Sequence, residues 1–283
     1  MKKILITGNS GYIGSHLSKL LDGEYELYGL DLKNPQHPVT KHFKHDIRQN
    51  IPASNLVFDA VVHLAALVNV GESEKMPTDY YMTNFCGTLN IMNTVKFKNF
   101  VFASTGAAEG CASAYGTSKK AAEDCVREWC TYKNIPYTTF RFYNVIGTEG
   151  FEPTNPDGLM SNLLKAIDTG TFTIHGTDYD TIHGDGTCVR DYVHVMEICD
   201  ALRTAIEKPS NKIECLGHGV GYTVKEIVNL FCRVNDVDFC ITSGPRRQGD
   251  LPYSVLEDVS PYMKTLYSME DLLKIQKRDI VSL

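Results

Sequence analysis

Residues 2–17 read KKILITGNSGYIGSHL, and the fold turns on how this stretch is read. The apolar run Ile4 to Ile6 inside Lys2–Thr7 suits a short buried strand and is too brief for a signal-peptide core or a membrane span. Gly8, Gly11 and Gly14 follow, and beyond them Ile13, Leu17, Leu20 and Leu21 recur at helical spacing. The order is therefore strand, glycine turn, amphipathic helix. In such a unit the first glycine permits a tight turn, the second lets backbone approach a pyrophosphate, and the third lets helix and strand pack closely. The helix N-terminus then offers amide donors and the positive end of its dipole to phosphate. The spacing is GxxGxxG rather than GxGxxG, so the glycines alone do not fix a ligand. A second predicted strand, YELYGLD, ends at Asp31, 17 residues after Gly14. A carboxylate there hydrogen-bonds both ribose hydroxyls of NAD and repels a 2′-phosphate, so NAD is expected over NADP.

Working outward, buried strands are predicted at 59–65, 99–104 and 136–142, with helices over about 79–95 and 113–132. Strands alternating with helices imply a parallel sheet covered on both faces, a Rossmann-type doubly wound α/β fold. Past Asn144 the pattern changes. Residues 147–158 (GTEGFEPTNPDG) read as loop, followed by a helix near 159–168, a strand at TFTIHG, polar turns through 188, and helices near 195–207 and 223–233. The expected division is an NAD-binding domain over 1–146, with crossover segments from 188–205, and a smaller α/β substrate domain over 147–283.

Composition narrows the function. The 283-residue chain carries a net charge of −6 and no run of Lys or Arg, which argues against nucleic acid or an anionic membrane as the main partner. Its nine cysteines are scattered with no CxxC pair, as expected of reduced thiols in a cytoplasmic protein without a zinc or other metal site.

A second motif lies in mid-chain: Tyr115-Gly116-Thr117-Ser118-Lys119, ten residues beyond the pair Ser104-Thr105. On a helix, residues four apart share a face, so the Tyr115 phenol and the Lys119 ammonium point into the same space. A neighbouring cation favours the phenolate, which makes the pair a proton acceptor near neutral pH. An isolated YxxxK is ordinarily a surface tyrosine and a solvated lysine. The glycine turn and Asp31 ahead of it shift that balance towards chemistry.

With both motifs in place the sequence resembles the extended short-chain dehydrogenase/reductases, and among them the UDP-glucose 4-epimerase group of the NAD-dependent epimerase/dehydratase family. The matching segments run in order: TGNSGYIGSHL (7–17), HDI (45–47), HLAALVNVGES (63–73), NFCGTLNIM (84–92), YGTSK, RFYNVIG (141–147), DGTCVRDYVHV (185–195) and GPRRQGDLP (244–252). The resemblance implies an isomerase that oxidises a UDP-hexose at C4 and reduces it again on the other face. It assigns the cofactor to Gly8, Gly11, Tyr12, Ile13, Gly14, Asp31, Asn34, Asp46, Ile47, Leu64, Ala65, Ala66, Asn84, Ser104 and Tyr143, with Tyr115 and Lys119. Thr105, Tyr115 and Lys119 would be catalytic, Lys119 also lowering the tyrosine pKa. Substrate would meet Thr105, Tyr115, Asn144, Arg190, Arg247, Asp250 and Ser254. The two arginines suit a diphosphate, since guanidinium binds phosphate oxygens through paired donors.

Departures from the family pattern bear on substrate and reaction. A small residue at Ser254 leaves room for an acetamido group, which extends the expected substrates to UDP-N-acetylglucosamine. Thr105 is followed by Gly106, Ala107 and Ala108 where dehydratases carry an acid pair and decarboxylases a Glu. A tyrosine common in the family is Glu109, and a lysine after the LAA segment is Val68. The alternatives are another nucleotide-sugar modifier (dehydratase, decarboxylase or reductase) or an NAD-sensing protein without turnover. Helices 79–95 and 113–132 are expected to pair two copies into a homodimer, since they carry more apolar residues, Trp129 included, than one sheet face needs.

Overall fold

The apolar run ahead of the glycines forms the strand Lys3–Thr7, in which Ile4, Leu5 and Ile6 are fully buried. It lies within a seven-stranded sheet of order Ile213–Leu216, Tyr137–Phe142, Phe100–Thr105, Ala60–His63, Lys3–Thr7, Glu26–Asp31, Lys41–Lys44. Pairing is parallel from Tyr137–Phe142 across to Lys41–Lys44. Central strands enclosed on both faces read as continuous apolar runs, and that is why they were visible in the sequence. Lys41–Lys44 (KHFK) buries only Phe43 and was not expected; an edge strand tolerates such a polar pattern. Chain order runs outward from Lys3–Thr7 in one direction and then resumes on its other side at Ala60–His63. The resulting switch point lies at the C-terminal ends of these two strands, where open α/β sheets bind ligands.

The computed structural model describes residues 1–52, 55–148, 150–151, 153, 155–181, 184–247 and 250–275. Parts of the predicted loops at 147–158 and before 188 lie outside the described residues. The chain divides into two compact units, Met1–Phe142 with Ile198–Cys215, and Tyr143–Glu197 with Leu216–Leu283. In the second unit Val189–His194 pairs with Asn144–Ile146, Gly221–Thr223 and Tyr253–Ser254, and Thr171–His175 pairs with Cys240–Gly244. Its core gathers Phe172, Tyr192, Phe231 and Phe239. The helix Val224–Asn235 starts on a capping box formed by Thr223 and Glu226.

One helix differs from expectation. The predicted continuous helix 79–95 is instead Pro77–Tyr80, a π-helical segment Tyr81–Cys86, and Gly87–Thr94. The wider turn places Asn84 fully inside, where its amide accepts from Leu67 N (2.8 Å) and donates to Leu67 O (3.0 Å) and Ser118 Oγ (3.1 Å). Such π-bulges recur where a helix must re-aim a side chain. Trp129 packs on Phe97 at 5.7 Å between ring centroids, so its ring is used within the chain itself.

Close packing makes Gly14 the critical glycine of the turn. A Cβ there would sit 2.2 Å from Gly8 O and 2.7 Å from Asn9 Cα, both backbone atoms unable to yield. Gly14→Ala is expected to lower unfolding stability by about 3 kcal/mol through overpacking, read as an earlier midpoint in urea denaturation.

Candidate active site

Gly8 adopts φ +74°, and a Cβ there would fall 2.7 Å from Ala65 N, so the first turn abuts the start of the Leu64–Ala66 segment. Gly11 is the N-cap of the helix Tyr12–Leu21, with no side chain capping it and no acidic residue in the first turn. A helix N-terminus without a side-chain cap or an acidic first turn suits an anion from outside. Asp31 stands at its strand end, accepting from Ser10 N (3.1 Å) and Lys33 N (2.9 Å), and Asn34 is exposed just beyond. An open helix N-terminus, side-chain-free glycines and a fixed carboxylate fit the pyrophosphate and ribose of a dinucleotide.

Other expected cofactor residues are partly engaged within the protein. Asp46 pairs with Arg48 at 2.7 Å, a contact that holds its carboxyl below the usual range. Ile47 is buried against Gly87. The Asn84 side chain holds Leu67 in place, and the Ser104 hydroxyl donates to Glu123 at 2.6 Å. Leu64, Ala65 and Ala66 are half-buried, with Ala65 N donating to Thr7 Oγ1 at 3.2 Å. Tyr143 N donates to Leu216 O at 3.1 Å in the second unit.

Thr105, Tyr115 and Lys119 come together. Thr105 ends the strand Phe100–Thr105, and Tyr115 and Lys119 lie on the helix Ala114–Lys133, which is capped by Ser113 accepting from Gly116 N at 3.1 Å. The Thr105 hydroxyl acts on the Tyr115 phenol in the direction that favours its ionised form. The Tyr80 ring meets Tyr115 edge-on at 6.3 Å. Lys119 is 3% exposed, its Nζ 4.4 Å from the Phe102 ring centroid.

The expectation that Lys119 lowers the pKa of Tyr115 needs correction for the protein alone. Burial pushes the Tyr115 phenol up, opposed only by the Thr105 hydrogen bond. Burial likewise pushes Lys119 down to about 7, against an upward pull from Glu123. Burial thus weakens the cation that Lys119 lends its neighbour, and Glu123 works against that loss.

Sequence reasoning missed three supporting residues in this unit. Glu123 is fully buried and accepts from Arg141 Nε (2.9 Å) and Nη2 (2.8 Å). Its position four residues after Lys119 was the available signal. His63 bridges Thr7 Oγ1 (2.6 Å) and Thr88 Oγ1 (3.0 Å), and burial, with Lys119 nearby, pushes it down to about 3, so it stays neutral.

In the second unit Arg190 pairs across the sheet with Ser254 and faces Asp250 at 3.5 Å. Asp250 N donates to Arg247 O at 3.3 Å, which puts both residues in one turn. Arg246 is locked by Asp178 (2.8 Å) and by Tyr179, whose ring lies 4.2 Å away. Its neighbour Arg247 is exposed and donates to a backbone carbonyl, Asp157 O, at 3.2 Å. Asn144 Nδ2 donates to Asp191 O at 2.9 Å, so its amide braces the strand that carries Arg190. Among the described residues no cluster of His, Cys, Asp and Glu suits a metal ion.

Known proteins are similar to the chain along nearly its whole length. UDP-glucose 4-epimerases of Haemophilus influenzae and Lactobacillus helveticus are each 33% identical to the chain, the first over 88% of it and 87% of the relative, the second over 90% and 88%. A UDP-glucose 4-epimerase of Bifidobacterium longum, solved with NAD+ and UDP, superposes with a TM-score of 0.82 at 26% identity, covering 96% of both chains. The UDP-Glc/GlcNAc 4-epimerase of Campylobacter jejuni gives 0.76 at 28% identity, covering 96% of this chain and 97% of that one. The profile of the NAD dependent epimerase/dehydratase family matches residues 4–217, and the chain belongs to that family.

Proposed function

We propose that the chain is an NAD-dependent nucleotide-sugar 4-epimerase, an isomerase interconverting UDP-glucose and UDP-galactose. The observation that carries this reading is the convergence of three groups: Tyr115 and Lys119, both buried and one turn apart on the helix Ala114–Lys133, and Thr105 at the end of the strand Phe100–Thr105, whose hydroxyl acts on the phenol. Bound NAD would supply the hydride chemistry at the sugar C4 that side chains lack. Gly8, Gly11, Gly14, Tyr12 and Ile13 would hold its pyrophosphate and Asp31 its ribose. Tyr115 takes the proton of the C4 hydroxyl and later gives it back, and Thr105 orients the exchange. Burial opposes the phenolate, and the Thr105 hydroxyl favours it. Arg190 and Arg247 would bind the substrate diphosphate.

The dehydratase and decarboxylase alternatives lose support because Glu109, the acid nearest Thr105 in sequence, is 67% exposed at its side chain and faces Arg141 at 3.6 Å. Nine free cysteines, six of them partly or fully exposed at Cys86, Cys111, Cys125, Cys215, Cys232 and Cys240, favour a reducing cytoplasm. Among the described residues no helix is long and apolar enough to cross a membrane. Exposed Met82, on the π-helical segment, supports a homodimer through helices 77–94 and 114–133.

The test is to incubate protein purified without added cofactor with UDP-glucose and follow the anomeric proton signals. Appearance of UDP-galactose without added NAD supports epimerisation on retained cofactor; an unchanged sugar with NAD bound defeats it. A small Ser254 extends the proposal to UDP-N-acetylglucosamine. Ser254→Tyr is expected to lower kcat/KM for the N-acetylated sugar by about a hundredfold while UDP-glucose changes by less than about threefold, measured in the same assay.

A further inference from the structure

We propose that Glu123 is a positioning residue for the reaction: buried one helical turn beyond Lys119 and held by Ser104 and Arg141, it supplies the negative charge that keeps the Lys119 ammonium charged beside Tyr115. The inference rests on the role given above to Lys119.

Glu123 ties together the elements that carry the three catalytic groups. It sits on the helix of Tyr115 and Lys119, and it accepts from Ser104, the residue immediately before Thr105. Ser104 and Arg141 are register partners on adjacent parallel strands, so one carboxylate closes both onto the helix. A fully buried carboxylate persists as an anion only with strong donors, and the paired Arg141 contacts at 2.9 and 2.8 Å provide them. A neutral amide would make the same link to Ser104, but it would give Lys119 no charge.

The surroundings of Lys119 leave this task to Glu123. From the strand Phe100–Thr105 it meets the Phe102 ring, and His63 of Ala60–His63, whose charged form it disfavours, is kept neutral by burial. Tyr115 and, behind it, Tyr80 are both phenols whose pKa burial raises. Arg141 divides its charge between Glu123 at 2.8 Å and Glu109 at 3.6 Å. Glu123 is the acid that acts on Lys119.

The experiment follows the Nζ titration of Lys119 by NMR in lysine-labelled holoenzyme, the signal being assigned by its loss in Lys119→Met. In Glu123→Gln the midpoint is expected to fall by about one pH unit, and the alkaline limb of kcat/KM to move down with it. Ser104→Ala removes a link but no charge and should leave the midpoint within about 0.3 units of wild type, which separates charge from mere bracing. If Glu123→Gln does not accumulate folded, Glu123→Gln with Arg141→Met is read against Arg141→Met, so that the loss of the Arg141 cation is common to both. An unmoved midpoint in the folded variant overturns the proposal. Wild-type turnover in Lys119→Met would instead overturn the catalytic reading of Lys119, so the two failures are distinguishable.

Discussion

Tyr115→Phe is expected to lower kcat for 4-epimerisation by about a thousandfold, the usual span for a lost general base, while UDP and NAD affinities change by less than about threefold. Phenylalanine keeps the ring against Tyr80 and removes only the hydroxyl. Thr105 Oγ1 still accepts from Ala107 N at 3.2 Å, so stability should change by no more than about 1 kcal/mol. Binding by calorimetry with UDP and turnover by the anomeric signals separate the two effects. A variant that keeps a tenth or more of wild-type turnover removes Tyr115 from the role of base. A variant that loses UDP binding as well as turnover points to a disturbed fold rather than missing chemistry. An NAD-sensing protein without turnover has no activity to lose, so wild-type turnover decides against it before the variant is made.

The central sheet was legible because its strands are buried on both faces, and apolar runs such as Ile4–Ile6 and Val61–Val62 have few other places to go. The turn was legible because Gly8 and Gly14 stand where a Cβ would strike backbone. What escaped the sequence was set by tertiary contact. Strands such as Gly221–Thr223 and Tyr253–Ser254 are too short for period-two alternation and exist because Val189–His194 pairs with them. The π-helical segment depends on Asn84 reaching Leu67, 17 residues away in sequence. Within the site, residue identities were readable and protonation states were not. A Tyr-Lys pair four apart suggests a cation lending its charge to a phenol, but complete burial of both acts against each charged form, and burial is a property of the whole fold.

Lys119→Met is expected to cut turnover by about a hundredfold or more and yet to make the chain more stable, by about 2–4 kcal/mol below pH 7 in protein stripped of dinucleotide. An unfolded lysine titrates near its ordinary 10.5, whereas Lys119 in the folded chain titrates at about 7. Below pH 7 both states carry the proton, and the folded state bears the whole cost of a buried ammonium. Between 7 and 10.5 the unfolded state binds a proton that the folded state has released, so wild-type stability rises with pH across that window. Methionine has a similar stem and no charge, so its advantage is greatest below pH 7 and fades as pH approaches 10.5. His63 adds a separate effect: held at about 3 against 6.5 when unfolded, it withdraws stability as pH falls from 6.5 to 3 in wild type and variant alike. Urea unfolding of both proteins at pH 6 and pH 9 therefore isolates Lys119 as the difference between them. A larger gain at pH 6 than at pH 9, together with lost turnover, marks a lysine kept at a cost to the fold for the sake of the reaction. An equal gain at both values would mean that the ammonium is not buried as a charge, and Lys119 would then have no charge to give Tyr115.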